Sequence, residues 1–398
     1  MSKAAGLLSP AGGELLGRLR GLAVTPDEAL SLAAELRGQY PPDLIAAALT
    51  QQALRTAGQA KFSRAGDMFF TRAGLEQASG ELAAAHSARR FAGLSLVADL
   101  CCGIGGDLIA LAAVAQRVLA VDADLETLQF AYRNGVVHGL AGKVAAACAD
   151  VTRLRLHGLS GIFIDPARRS GSRRLRAGDS RPPLGWCLAL AEQVPRVCVK
   201  AAPGLDLDRV PESWEIEFVA AGRALKEALL WSPALATSPR RATVLPADAT
   251  LVATPGPPVS VADPGAYLLD PNPAVTRAGL VAELARSLGA WQIDPRIAFL
   301  SVDQPVSTPF ARTLRVLASL PWHEKEAART LRELGIGTAD IRRRGLAGDV
   351  EQIRRRLSLR GDKAATIVLT RRSDRPWGLI CEPLPDPTDS LPDGPQAR

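Results

Sequence analysis

Histidine and paired cysteine are scarce in this chain. Its four histidines (His86, His138, His157 and His323) are scattered, so neither an H-E-x-x-H motif nor a histidine–carboxylate metal cluster can be assembled from neighbours. The six cysteines (Cys101, Cys102, Cys148, Cys187, Cys198 and Cys381) contain no C-x-x-C pair. That excludes a zinc ribbon and a disulfide framework. No run approaches the ~18 apolar residues of a membrane helix. The N-terminal stretch is interrupted by Pro, Gly and Arg and lacks the apolar core of a signal peptide. These absences lead us to expect a reduced, cytoplasmic protein without a metal or a membrane partner.

What is present is a globular composition, 47% apolar and 22% charged over 398 residues, enough for two or three domains. The net charge is +7 and is unevenly placed. Between Glu324 and Arg375 there are 14 Lys/Arg against 8 Asp/Glu, so this stretch alone accounts for +6. Such a region is either a solvated charged face or a surface for an acidic partner, nucleic acid first.

The texture of the chain changes several times. Residues 1–93 read as a helical region, with Thr25 capping a helix that starts at Pro26 and a second helix opening at Pro41-Pro42-Asp43. From Leu94, short apolar runs alternate with helical stretches, which predicts crossovers and a parallel sheet covered on both faces. Segments 214–220, 225–231 and 241–245 are β-like, and the lack of a helix between them suggests an edge hairpin. We place this α/β domain at 94–248. A Pro/Gly-rich stretch opens a linker and connecting segment at 249–323, whose one clear helix candidate is 274–288. A small basic α/β domain is expected at 324–385, and a disordered Pro/Asp-rich tail at 386–398.

The central motif is VADLCCGIGGDL, residues 97–108. Asp99 ends a strand, a turn with Cys101, Gly103 and Gly105 follows, and a helix begins. Glycines let backbone amides approach a ligand closely. One reading is a dinucleotide site, but Leu108 stands where G-x-G-x-x-G requires its last glycine, and Asp99 would face a pyrophosphate. The other is S-adenosylmethionine, whose ammonium and sulfonium suit an acid at the loop. Asp122, ending the next strand, would then take the ribose hydroxyls, and Asp150, after the third strand, the adenine amino group. Against this, any single Asp at such a place can simply cap a turn.

The motif resembles that of the class I S-adenosylmethionine-dependent methyltransferases, D-x-x-x-G-x-G. The resemblance implies a Rossmann-like parallel sheet with an edge hairpin, with Asp99, Cys101, Gly103, Gly105, Asp122 and Asp150 around the cofactor. The fourth strand ends in GIFIDPARRSGSRR, residues 161–174. Asp165-Pro166 occupies the place where amino-group and RNA methyltransferases of this class carry D-P-P-Y. Asp165 and Pro166 are therefore the catalytic candidates, with Asp165 as hydrogen-bond acceptor or general base. Ala167 and Arg168 depart from that pattern and leave no aromatic ring to stack on a base. Arg168, Arg169, Arg173 and Arg174 crowd the rim and match phosphate geometry, although a salt-bridged loop would look the same. D-P-x-R is also similar to uracil-C5 enzymes, which need a cysteine after the fifth strand. Cys198 lies inside that strand and reads as core.

Several segments together resemble the bacterial methyltransferases with a C-terminal THUMP-like domain. They are Lys61-Phe62, GLEQAS (residues 74–79), DLCCGIGGD, DPARR, APGLD, LLDPNPAVTRAGL and the arginine-rich run from 341 to 371. The trimethylguanosine-synthase group, which methylates guanine N2, is a more distant relative. The resemblance implies an enzyme acting on tRNA or rRNA, with Arg342, Arg343 and Arg344 among the phosphate-binding residues. The GLEQAS segment would pack over the cofactor or into the core. Two rivals remain: a methyltransferase for a small molecule or protein, and a non-catalytic RNA-binding protein that keeps the fold.

Overall fold

The computed structural model describes residues 3–22, 25–167, 169–170, 173–174, 179–346 and 349–384. Arg168 and the tail 386–398 lie outside the described residues. For Arg169, Arg173 and Arg174 only the backbone is described. The chain forms two compact units, one within 3–215 and 228–237, the other within 216–227 and 238–384.

The first unit opens with helices α1 (Lys3–Leu7), α2 (Pro10–Leu19), α3 (Pro26–Leu36) and α4 (Pro42–Gly58). Proline begins the last three, where its missing N–H costs nothing and its fixed φ suits the first turn. Thr25 accepts from the Glu28 amide while the Glu28 carboxylate takes the Thr25 amide, a reciprocal cap of about 1 kcal/mol. Helices α5 (Arg72–Gln77) and α6 (Glu81–Ala88) follow.

The strand–helix alternation then begins: β1 (Leu96–Leu100), α7 (Gly106–Val114), β2 (Arg117–Asp122), α8 (Leu125–Val137), β3 (Val144–Cys148) and β4 (Gly161–Ile164). A short hairpin, β5 (Arg169–Ser170) and β6 (Arg173–Arg174), precedes α9 (Leu184–Ala189) and β7 (Val197–Ala201). The strands run parallel in the order β7-β4-β1-β2-β3. The order reverses between β1 and β4, the place where open α/β sheets bind ligands. Strands β4 and β7 are apolar and buried almost throughout, as a sheet covered on both faces requires.

The N-terminal helices share this unit's interior. Leu15, Leu16, Leu19, Ile45 and Leu49 form one buried cluster with Phe130 of α8. Buried Asn134, also on α8, donates to the carbonyls of Phe69 and Ile104 and accepts from the Phe69 amide. It thereby fastens the N-terminal segment to the glycine-rich loop. Arg90 forks onto buried Glu215 at 2.7 and 2.8 Å and lies over the Trp231 ring.

Strand β8 (Glu215–Ala221) turns at Gly222 into β9 (Ala224–Trp231), the expected hairpin. Residues 228–231 of β9 pair antiparallel with β7 inside the first unit. In the second unit, β8 pairs in parallel with β10 (Arg240–Leu245), so strands continue beyond the hairpin to β11 (Ala249–Val252).

The stretch 249–323, read from sequence as connecting chain, contributes several strands. It carries β12 (Tyr267–Pro271), α10 (Pro273–Ala278), α11 (Val281–Leu288), β13 (Trp291–Gln292), β14 (Leu300–Val302) and β15 (Ala311–Pro321). The single helix expected over 274–288 is two helices, because Gly279 adopts φ 76° and ends the first. Then come α12 (Glu324–Glu333), β16 (Ile336–Arg343), α13 (Val350–Leu357), β17 (Lys363–Arg372) and β18 (Arg375–Pro383). The sheet order is β13-β14-β12-β15-β18-β17-β16. Two buried clusters line it, one centred on Leu331, Ile367 and Leu357, the other on Phe299, Leu314 and Val368.

Candidate active site

The loop after β1 is built for close approach. Cys101, Gly103 and Gly105 all have left-handed backbone, with φ of 60°, 54° and 87°. A Cβ on Gly105 would sit 3.2 Å from the Ala131 backbone, so α8 and the loop could not approach with a larger residue there. The space beside Gly103 is open. Its amide donates to Asp122 Oδ2 at 2.9 Å, and the Asp124 amide donates to Asp122 Oδ1 at 2.9 Å. Asp122 is thus oriented by two backbone amides, and its oxygens keep lone pairs for further donors.

Asp99 is 1% exposed, and neither of its oxygens has a hydrogen-bond partner. Burial pushes its pKa well above the ordinary 3.8, and the carboxylates of Asp107, Asp165 and Asp122 push the same way against the pull of Lys200. An unsatisfied buried carboxylate costs about 1–3 kcal/mol or more. It calls for a proton or for a ligand bearing donors. The chemistry of S-adenosylmethionine fits these residues: Asp99 would face cationic donors, Asp122 the ribose hydroxyls, and the glycine turn leaves room for both.

The turn at Asp165 and the start of α7 are tied together by a residue that the sequence alone did not single out. Lys200, in β7, is 3% exposed. Its Nζ lies 2.7 Å from Asp165 Oδ2 and 3.0 Å from Asp107 Oδ2, and it donates to Ser79 Oγ. Asp107 sits in the first turn of α7, and burial raises its pKa despite Lys200. The Asp165 amide donates to Leu100 O at 3.2 Å, Pro166 is buried, and Ala167 pairs with Arg181 through two 2.9 Å hydrogen bonds. The signal for Lys200 was present: a lysine inside the apolar strand VCVKA must have buried partners. Which partners they are depends on residues 35, 93 and 121 positions away.

Other candidates are placed differently. Asp150 is exposed and accepts from the Thr152 amide and hydroxyl at 3.0 and 2.7 Å, bonds that lower its pKa. It caps the turn that follows. Burial raises the Cys101 thiol pKa far above the ordinary value. Cys198 is fully buried within β7.

In the second unit, buried Asp270 gathers three arginines. Arg342 Nη1 lies at 2.6 Å, Arg223 Nη2 at 2.8 Å and Arg344 Nη2 at 2.9 Å. Arg344 also lies over the Phe299 ring. Arg343 is exposed and donates to the Leu346 carbonyl at 3.4 Å. Among the described residues, no group of three or more His, Cys, Asp or Glu is placed to hold a metal ion. Nor is any helix among them long and apolar enough to cross a membrane.

Comparison with known proteins speaks to the fold and the family. Residues 94–176 match the family model of the RNA cap guanine-N2 methyltransferases. Residues 311–383 match a THUMP domain-like family, and residues 1–58 a domain family of unknown function, DUF8688. Uncharacterized S-adenosylmethionine-dependent methyltransferases from two strains of Mycobacterium tuberculosis are each 38% identical over 310 residues, 76% of this chain and 84% of theirs. A 23S rRNA uracil-C5-methyltransferase of Acidithiobacillus ferrooxidans is 30% identical over 87 residues, 20% of each chain. The crystal structure of a Porphyromonas gingivalis W83 protein, provisionally named a methyltransferase, superposes with a TM-score of 0.72 at 21% identity. The match covers 92% of this chain and all of that one. This chain belongs to the S-adenosylmethionine-dependent methyltransferases.

Proposed function

We propose that this methyltransferase acts on RNA, at a base nitrogen of tRNA or rRNA, with the exocyclic N2 of guanine the first candidate, and that it works in the cytoplasm. The observation that carries the reading is Asp165. Its carboxylate ends β4 beside the glycine-rich loop, partly exposed, with one oxygen on Lys200. Bound S-adenosylmethionine supplies an electrophilic methyl group. Asp165 accepts a hydrogen bond from the acceptor amino group, orients its lone pair toward that methyl and draws off its proton. Buried Pro166 fixes the turn that aims Asp165. Support for an RNA substrate comes from the guanine-N2 family model over 94–176 and the THUMP-like match over 311–383. Fully buried Cys198 argues against C5 chemistry, which needs an exposed nucleophile.

The test is mass spectrometry of nucleosides from a strain lacking the gene, set against its parent. Loss of one N-methylated nucleoside from tRNA or rRNA supports the reading. An unchanged RNA profile removes it.

A second reading has one observation in its favour. Arg342 and Arg344 are turned onto Asp270, as they would be in a structural appendage to an enzyme for a small molecule or protein. That reading expects RNA binding that is absent or lacks the steep salt dependence of phosphate contacts.

A further inference from the structure

We propose that Lys200 is a positioning residue for methyl transfer, and that the segment 61–79 belongs to the active site because it holds Lys200 in place. The inference rests on the assignment of Asp165 to the acceptor side. Lysine seldom sits at 3% exposure without partners. Here its ammonium joins three separately placed groups. Asp107 stands at the start of α7, directly after the cofactor loop. Asp165 stands at the end of β4. Ser79 closes the segment that follows α5.

That segment is itself anchored at both ends. Lys61 Nζ donates to the carbonyls of Leu75, Glu76 and Ala78 at 2.7, 3.1 and 3.0 Å, which fixes the chain leading to Ser79. A Cβ on Gly74 would meet Ile104 Cγ2 at 2.4 Å, so α5 lies directly against the glycine-rich loop. The paired motifs Lys61-Phe62 and GLEQAS thereby acquire a common purpose. One supplies a cation that caps the other, and the other presents a hydroxyl to the lysine that holds Asp165.

The geometry also explains why a lysine is needed. Buried Asp99 and Asp107 and partly exposed Asp165 lie close together, and burial raises the pKa of Asp99 and Asp107. Without Lys200, Asp165 would lose the ammonium that holds it, and repulsion from Asp99 and Asp107 would turn it toward solvent. The acceptor nitrogen would then meet a displaced carboxylate, and a misplacement of about 1 Å is enough to cost about 100-fold in rate.

The test uses Lys200→Met, Lys200→Arg and Ser79→Ala in the full chain. S-adenosylmethionine affinity and stoichiometry by calorimetry count the folded sites. Methyl transfer is read with total RNA from a strain lacking the gene. Lys200→Met should leave cofactor affinity within about threefold while kcat per binding site falls about 100-fold. Lys200→Arg should recover at least about tenfold of that loss, and Ser79→Ala should lower kcat about tenfold. A purely structural lysine would lower the number of binding-competent sites and leave kcat per site unchanged, which overturns the proposal. A crystal structure of Lys200→Met with S-adenosylhomocysteine gives a readout independent of substrate. The Asp165 carboxylate should be displaced by about 1 Å or more while the Gly103–Gly105 turn stays in place. An Asp165 left in place overturns the proposal. If wild-type protein transfers no methyl group to RNA, the RNA reading fails, and the crystal arm still decides the role of Lys200.

Discussion

The two units solve opposite electrostatic problems. In the first, a single lysine sits among acids: Lys200 contacts Asp107 and Asp165, with Asp99 close enough to feel its charge. In the second, one buried acid gathers bases: Asp270 contacts Arg223, Arg342 and Arg344, and Asp340 takes a further contact from Arg342. In the first cluster acids outnumber the one lysine, and burial raises the pKa of Asp99 and Asp107. The second has surplus positive charge on guanidinium groups that cannot deprotonate. A cluster that can take up protons can respond to a cationic ligand. A cluster that cannot is fixed in its charge.

The largest expected effect strikes the first cluster. Asp165→Asn should lower methyl transfer about a thousandfold, with cofactor affinity by calorimetry almost unchanged. If kcat survives, the cluster serves stability rather than chemistry. In the second cluster, Asp270→Ala leaves three arginines facing one another. It should destabilise that unit by about 3–5 kcal/mol, read from denaturant unfolding. A small loss would mean that the arginines are solvated and Asp270 is incidental.

Asp122→Ala removes a carboxylate held by two amides and should weaken S-adenosylmethionine binding about tenfold to a hundredfold. The protonation argument gives a finer contrast. The folded pKa of Asp99 is raised, so between 3.8 and that raised value the unliganded protein keeps a proton the unfolded chain has lost. Its contribution to stability therefore falls as pH rises through that window. A cationic ligand favours the ionised form, so cofactor affinity should climb over the same window. Calorimetry in buffers of different ionisation enthalpy should show a proton released. Asp99→Asn should flatten both trends, and buffer-independent heats for the wild type would sink the idea. Smallest of all, Arg343→Ala touches an exposed guanidinium. It should leave stability alone and reduce the salt slope of RNA binding by about one. Arg342→Ala should instead lower the stability of its unit.

Local features of the site were legible in the sequence, and distant ones were not. The turn of Gly103 and Gly105 and the acids Asp99 and Asp122 could be read because a strand, a turn and a helix follow one another within a few residues. The cap at Asp150 was legible too, since its partner Thr152 is two residues away and the motif is a common one. Lys200 could be flagged as a buried lysine but not assigned partners, because Ser79, Asp107 and Asp165 reach it only through the fold. Gly279 was a visible helix terminator inside a stretch read as one helix. Strand β15 alternates weakly, with Arg315 and Ser319 spaced among apolar residues, and so it passed for connecting chain. The arginine run could be recognised as basic. That Arg342 and Arg344 turn toward Asp270 could not, because Asp270 lies 72 and 74 residues earlier.

Strand β9 has a further consequence. Its residues up to Glu227 belong to one unit and those from Ala228 to the other, and the chain changes unit again after Thr237. Neither unit is a continuous length of polypeptide, so no single cut can release an intact catalytic fragment. A truncation placed between Ala201 and Ala228 deprives β7, the strand that carries Lys200, of its antiparallel neighbour. Gene fusion or domain exchange would have to carry residues 216–237 intact, because the chain passes between the units three times at this stretch.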